Sequence, residues 1–295
     1  MAVRYREQQP TFIPPMLLTS GALPTGDRWT FELKWDGCRA QLRYDGRSVS
    51  LRTRNGRACS ADFPELEEIA GALGKRRVTL DGELVCLRTD GRPDFARLRH
   101  RLTGSATHRR PAMLQVFDVL HLDGRSTRPL PYWERRALLE ELALDGPAWR
   151  TPASIVERSE DFVASVAELD LEGVVAKRLS STYLAGRRCT SWVKQHLRRE
   201  ERLAVTGIRR RRDGAVEAIF VARPQTDSSF TGAGAIELGL HRELVQQLED
   251  LLAELPVRRR RSVAWYPAEV SVIASLHGPV DGPVRDAVLR EVLNG

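Results

Sequence analysis

Only four of the 46 basic residues are lysines: Lys34, Lys75, Lys177 and Lys194. A chain that meets nearly every need for positive charge with arginine keeps lysine where an amine is required, because a guanidinium holds its proton and cannot act as a nucleophile. Lys34 has the most informative surroundings. It closes the apolar, alternating run Trp29-Thr30-Phe31-Glu32-Leu33, and Asp36-Gly37 comes one residue later. The pattern predicts a strand that ends in a lysine at a tight turn, where an amine is presented to an electrophile rather than lying along a helix. The bland alternative for Lys-x-Asp-Gly is a solvated hairpin turn, and the rest of the chain decides between them.

The elements that must position this lysine read as a mixed order. Ile13-Pro14-Pro15-Met16-Leu17 predicts an extended arm packed on the body. Ala40–Tyr44 and Val49–Arg54, each followed by Asp-Gly or Asn-Gly, read as hairpin strands, so the lysine strand is expected in an antiparallel sheet with them. A helix is expected over Pro64–Leu73, strands over Val78–Val85 and Leu114–Leu120, and helices over Tyr132–Leu144 and Glu160–Leu169. On the Tyr132–Leu144 helix, Trp133, Ala137, Leu138 and Leu142 form the expected apolar side. Gly173–Lys177 and Ser191–Lys194 read as short strands ending in lysines, and Gln195–Arg202 as a polar run. From Leu203 the chain turns mostly β: Leu203–Ile208, a basic hairpin tip at Arg209–Arg212, Ala215–Arg223, a helix over Leu240–Leu255 and a strand over Glu269–Leu276. The expectation is an α+β fold in two domains, 1–199 and 200–295, the second a small β-barrel.

Composition narrows the partner. A 295-residue chain with 42% hydrophobic content builds real cores, and a net charge of +7 favours a polyanion. Cys38, Cys59, Cys86 and Cys189 stand far apart, which suggests neither a zinc site nor a disulfide framework and reads as reduced thiols. No signal-peptide pattern and no apolar run near the roughly 20 residues of a membrane span is present, so a cytoplasmic protein without membrane contact is expected. No Walker-type Gly-x-x-x-x-Gly-Lys occurs, so nucleotide use would not involve a P-loop.

Lys34-Trp35-Asp36-Gly37-Cys38-Arg39 resembles the nucleotidyl-lysine motif of ATP-dependent DNA ligases and their covalent nucleotidyltransferase relatives. Further matches follow in family order: Thr53-Arg54-Asn55-Gly56, Asp81-Gly82-Glu83, Val116-Phe117-Asp118, Glu172-Gly173-Val174-Val175-Ala176-Lys177 and Trp192-Val193-Lys194. The likeness covers essentially the whole chain and is nearest to small stand-alone bacterial ligases and the ligase domain of bacterial end-joining proteins. It implies an antiparallel-sheet adenylation domain followed by an oligonucleotide-binding (OB) fold. The implied activity is ATP-dependent sealing of nicks in duplex DNA through a lysyl-AMP intermediate, with Mg2+ or Mn2+, by a monomer serving repair and recombination.

By that resemblance Lys34 takes AMP, Glu32 and the Phe117 ring hold adenine, and Arg39 and Arg54 contact ribose and the nick 5′-phosphate. Glu83 binds ribose or metal, Glu172 is the main metal carboxylate, and Lys177 and Lys194 neutralise the α-phosphate. Read alone, Phe117 on its strand is a core residue, Trp192 a packing residue and Lys75 a surface one. Two departures stand out. Lys194-Gln195-His196 replaces the family's Lys-x-Lys, and Leu289-Arg290-Glu291-Val292 lacks the aspartate and basic residue of the C-terminal motif. An RNA ligase or capping-type guanylyltransferase shares the lysine motif and is an alternative enzyme. A degenerate ligase that binds DNA without sealing it is the non-enzymatic one.

Overall fold

Lys34 ends the strand Trp29–Lys34, which runs antiparallel to Gly173–Arg178 with Lys34 opposite Gly173, Glu32 opposite Val175 and Thr30 opposite Lys177. Side chains alternate along a strand, so Glu32, Lys34, Val175 and Lys177 share one face. Phe31, Val174 and Ala176 take the other and are fully buried. In this computed structural model, which describes residues 7–89, 91–103, 111–156, 160–169, 171–227, 229–277 and 283–293, those strands belong to a five-stranded sheet. Its order is Leu17–Ser20, Arg188–His196, Gly173–Arg178, Trp29–Lys34 and Ile155–Val156, and Leu17–Ser20 runs parallel to Arg188–His196.

The hairpin strands expected beside Lys34 lie elsewhere. Cys38–Tyr44 and Val49–Thr53 join Val78–Cys86 and Ala112–Leu122 in a separate six-stranded sheet. The segment after Lys34 therefore crosses from one sheet to the next instead of turning back as a hairpin. Gly37 is needed at that crossing because a Cβ there would lie 2.1 Å from the Leu84 carbonyl oxygen and 2.9 Å from Glu83 Cγ. The second sheet carries the largest core, where Leu42, Leu51, Leu80, Leu114 and Val119 pack with Leu66 and Ile69. The expected helix over Pro64–Leu73 opens as a 3-10 turn, Pro64–Glu68, before an α-helical Ile69–Leu73. The arm packs as expected, with Ile13 and Met16 buried in a smaller cluster beside Tyr132, Tyr183 and Trp192.

The helix Tyr132–Glu141 buries Tyr132, Arg135 and Leu139, while Trp133 is 54% exposed. Leu138 and Leu142 of the expected apolar side do pack against the main core, but Trp133 is a correction: the fully buried row is i, i+3, i+7, and it includes an arginine. Arg135 is tolerated there because Asp118 receives it in two hydrogen bonds of 2.8 and 2.9 Å, both side chains being fully buried.

The chain separates into two compact units, Met1–Gln195 and His196–Gly295, and the polar run expected around Gln195–Arg202 lies in strands except at Leu197 and Arg198. Arg199–Arg210 pairs with Val216–Pro224, with Val263–Trp265 and with Ser271–His277 in a seven-stranded sheet. Phe230–Ile236 and Arg285–Leu293 extend this sheet on opposite sides. The Val284 amide donates to the Ala233 carbonyl at 2.7 Å and Leu289 to Leu238 at 3.0 Å, so the sheet curls until its far strands meet. Leu248 and Leu252 of the helix Arg242–Ala253 join Leu203, Val205, Ile219, Val272 and Leu289 in the enclosed core. Among the elements that escaped the sequence reading are Phe95–Leu102, Phe230–Ile236, Arg258–Arg260, Val263–Trp265 and Arg285–Leu293. Among the described residues no helix is long and apolar enough to cross a membrane.

Candidate active site

The shared face of Trp29–Lys34 and Gly173–Arg178 looks into a cavity of about 430 Å³. Its lining brings together Glu32, Lys34, Arg39, Arg54, Glu83, Phe117, Lys177 and Lys194. Glu172 is outside the lining but holds Lys34 directly, its Oε1 lying 2.6 Å from Lys34 Nζ. Both groups keep partial access to solvent, at 18% and 17%. Burial raises the Glu172 carboxyl above the ordinary glutamate range although Lys34 pulls it down.

Deeper on the same face, Lys177 Nζ lies 2.7 Å from Glu32 Oε2, with side chains 2% and 3% exposed. Tyr132 donates its hydroxyl to the other Glu32 oxygen, and its own proton is held far more tightly than usual by burial and by the Glu32 charge. Three rings surround the ammonium, with Phe117, Trp192 and Tyr132 centroids at 4.4, 4.6 and 4.8 Å. A cation over aromatic faces is attracted by their quadrupoles. Burial nevertheless lowers Lys177 below the ordinary lysine value, even with Glu32 beside it.

The second sheet supplies the opposite wall. Arg39 stands across from Glu83 in the ladder and pairs with Asp81 through bonds of 3.0 and 2.7 Å. Tyr183 donates to the same carboxylate at 2.6 Å. The Arg39 guanidinium also rests 5.1 Å from the Phe117 ring centroid and 5.7 Å from Trp192. Glu83 makes neither hydrogen bond nor ion pair among the described residues, and burial raises it to about 8, against the pull of Lys34 and Arg39 and with the push of Glu172 and Asp81. Arg54 is exposed in the turn after Val49–Thr53. Arg54 and Lys194 form no ion pair among the described residues. The Lys194 ammonium is lowered, first by burial and then by the charge of Lys34.

The structure thus gathers every residue singled out for chemistry around one cavity or in contact with its lysine. Phe117 and Trp192 are both packing residues and cavity walls, and Lys75 is exposed, as read. His196 ends its strand two residues beyond Lys194 and does not line the cavity; Arg290 lies exposed on Arg285–Leu293. The sequence reading missed Tyr132, Asp81, Tyr183 and the Asp118–Arg135 pair, each of which holds a cavity residue or its neighbour in place. Asp81 and Asp118 lay inside quoted motifs, which was the signal available for them.

A cleft of this kind can take a phosphate-bearing ligand, neutralise its charge and offer it an accessible amine, the task of a covalent nucleotidyltransferase. Within that class the chain belongs to the ATP-dependent DNA ligase family, whose ATP dependent DNA ligase domain matches residues 18–195. It is 34% identical over 295 residues to the multifunctional non-homologous end joining protein LigD of Mycobacterium bovis, covering 94% of this chain and 38% of that protein. It is 30% identical over 300 residues to the protein of the same name from Pseudomonas aeruginosa, covering 95% and 35%. The chain therefore spans little more than a third of these relatives' length. A solved structure of mycobacterial DNA ligase D complexed with ATP and MES aligns over 95% of both chains, with a TM-score of 0.61 and 29% identity.

Proposed function

We propose that this chain is a DNA-repair ligase that seals nicks in duplex DNA, with Lys34 as the group that carries AMP. The observation that carries the reading is the position of Lys34: the one lysine at the end of a strand, in the cavity, with a solvent-accessible amine held by a carboxylate. After losing a proton, the amine attacks the α-phosphorus of ATP, forming a P–N bond as the bond to pyrophosphate breaks. The AMP then passes to the 5′-phosphate of a nick, and the adjacent 3′-hydroxyl displaces it to close the strand.

The remaining residues supply positioning and charge, which is most of what displacement at phosphorus needs. Lys194 and Arg54, uncommitted among the described residues, are the cations for the phosphates. Phe117 offers a ring face to the base, and Glu32 an acceptor to its amino group. Arg39, anchored by Asp81, reaches the ribose side.

Glu83 and Glu172 fit a hard divalent cation, Mg2+ or Mn2+. Both carboxyls are raised by burial, so a cation held by them would relieve a cost the protein already carries. Among the described residues no group of three or more His, Cys, Asp or Glu is set to hold a metal. That suits an ion held by two carboxylates and completed by phosphates and water. When bound, it would draw charge from the phosphate oxygens.

Residues 1–195 act as the adenylation domain in this reading, and 196–295, a curled antiparallel sheet with one core helix, as an OB-fold domain that grips nicked DNA. The enzyme works as a monomer. The test is sealing of a nicked duplex with ATP against GTP and with DNA against RNA strands. Sealing of DNA with ATP is expected; preference for GTP or for an RNA nick would move the chain to the alternative enzymes, and binding without sealing to the degenerate ligase.

A further inference from the structure

We propose that the outward face of the sheet in the second unit, centred on Trp265 and Phe220, binds unpaired bases of single-stranded DNA by stacking. The inference extends the nucleic-acid partner proposed above but needs nothing of the Lys34 chemistry. Strand register sets one row across five strands: Arg258 opposite Trp265, Trp265 opposite Gly207, Gly207 opposite Phe220, and Phe220 opposite Ala235. Directly paired residues share a face, and Ile208 and Ile219, the next residues along, point into the core. The row therefore faces outward.

Gly207 lets the two rings meet. A Cβ there would come within 2.9 Å of Trp265 Cε3, and in its absence the Phe220 and Trp265 rings close to 5.2 Å between centroids at 31°. Covering a glycine with aromatic rings accounts for that contact. It leaves the surroundings unexplained. Trp265 is still 37% exposed. Arg209 lies 5.6 Å from the Phe220 centroid and is held there by Glu217 at 2.8 Å and Glu237 at 3.2 Å. Arg258 and Arg260, on the same face, are exposed and form no ion pair among the described residues.

An apolar ring pair edged by uncommitted cations is complementary to a ligand with flat apolar faces joined by phosphates. Single-stranded DNA is that ligand, because in a duplex the base faces are already stacked on one another. The bases would lie on Trp265 and Phe220, with the phosphates toward Arg258 and Arg260.

The experiment measures binding of the full chain to an oligodeoxythymidine of about 12 nucleotides, within the span one such domain covers, and to a nicked duplex. Trp265→Ala should weaken the single-strand complex roughly 5- to 150-fold, the range for losing one stacking ring, with the duplex complex much less affected. Trp265→Phe should recover most of the loss. Arg258→Ala should lower the log-log salt slope for the single strand by about 0.7. In the unaltered chain, a 5-iodouracil oligonucleotide should photocrosslink to peptides bearing Trp265 or Phe220. Unchanged single-strand affinity, an equal loss on both ligands, or crosslinks confined to other peptides would overturn the proposal. Self-adenylylation of the same preparations reports on the ligase reading separately.

Discussion

Two lysine–carboxylate pairs meet at the same pair of strands, with Lys34, Glu32 and Lys177 on one face and Glu172 just ahead of Gly173–Arg178, and they are opposites. Lys34 and Glu172 meet at 2.6 Å where both keep access to solvent. Lys177 and Glu32 meet at 2.7 Å, almost wholly buried, under three aromatic rings and a tyrosine hydroxyl. Ion-pair geometry is nearly the same, so distance does not separate a nucleophile from a structural lysine. Surroundings do. An amine that must reach a phosphorus atom needs a partner it can leave cheaply, whereas Lys177 could leave Glu32 only by stranding a buried charge. On the proposed reading, one pair is therefore built to react and the other to shape the cleft.

The contrast is broken most severely by removing each carboxylate in turn. Glu32→Ala leaves the Lys177 ammonium buried without its partner and should cost about 3–5 kcal/mol of folding stability. Glu172→Ala should cost about 1 kcal/mol or less, since a partly exposed pair is worth little, yet abolish metal-dependent adenylylation. Denaturant unfolding of both variants, beside labelling with ATP, checks the pair of effects. Equal stability losses would erase the distinction.

Phe117 belongs to the inner cage and also lines the cavity, so it tests whether the cage serves the ligand. Phe117→Ala should weaken ATP binding by about 1–3 kcal/mol and Phe117→Tyr by far less, read by calorimetry. Equal affinities for all three proteins would return Phe117 to a packing role alone.

A further effect is a pH dependence. Glu83 is held at about 8 by burial, above the ordinary glutamate value. Its protonated form is the one that suits the fold, so its contribution is fully present below the unfolded pKa and is lost as pH rises toward about 8. Glu83→Gln, which cannot ionise, should melt higher than the parent near pH 8 and converge with it near pH 4. A difference that stays constant across that range would show that Glu83 does not titrate there.

What the chain reveals of this site before folding follows the reach of each interaction. Lys34, Asp36-Gly37 and the later motifs are local patterns, and all the residues chosen from them converge on the cavity or on Lys34. The cage is not local: Tyr132 reaches Glu32 from 100 positions along the chain, and Lys177 from 145. Hydrophobic periodicity also misjudged the Tyr132–Glu141 helix, because a buried Arg135 satisfied by Asp118 has no apolar signature, while exposed Trp133 does. The hairpin strands were found, but their sheet was not, since a pattern of alternation says which face is buried and nothing about which strand lies next door. The crossing at Gly37 depends on the Leu84 carbonyl, again a partner far along the chain.

The central claim is that Lys34, and not the equally well-paired Lys177, carries the AMP. Its most direct test is to incubate the chain with α-labelled ATP and magnesium, digest it, and identify the modified lysine by mass spectrometry, with Lys34→Arg in parallel. The account predicts one adduct, on Lys34, and none in Lys34→Arg, which keeps the charge but offers no free amine. An adduct on Lys177, or full labelling of Lys34→Arg, would contradict it.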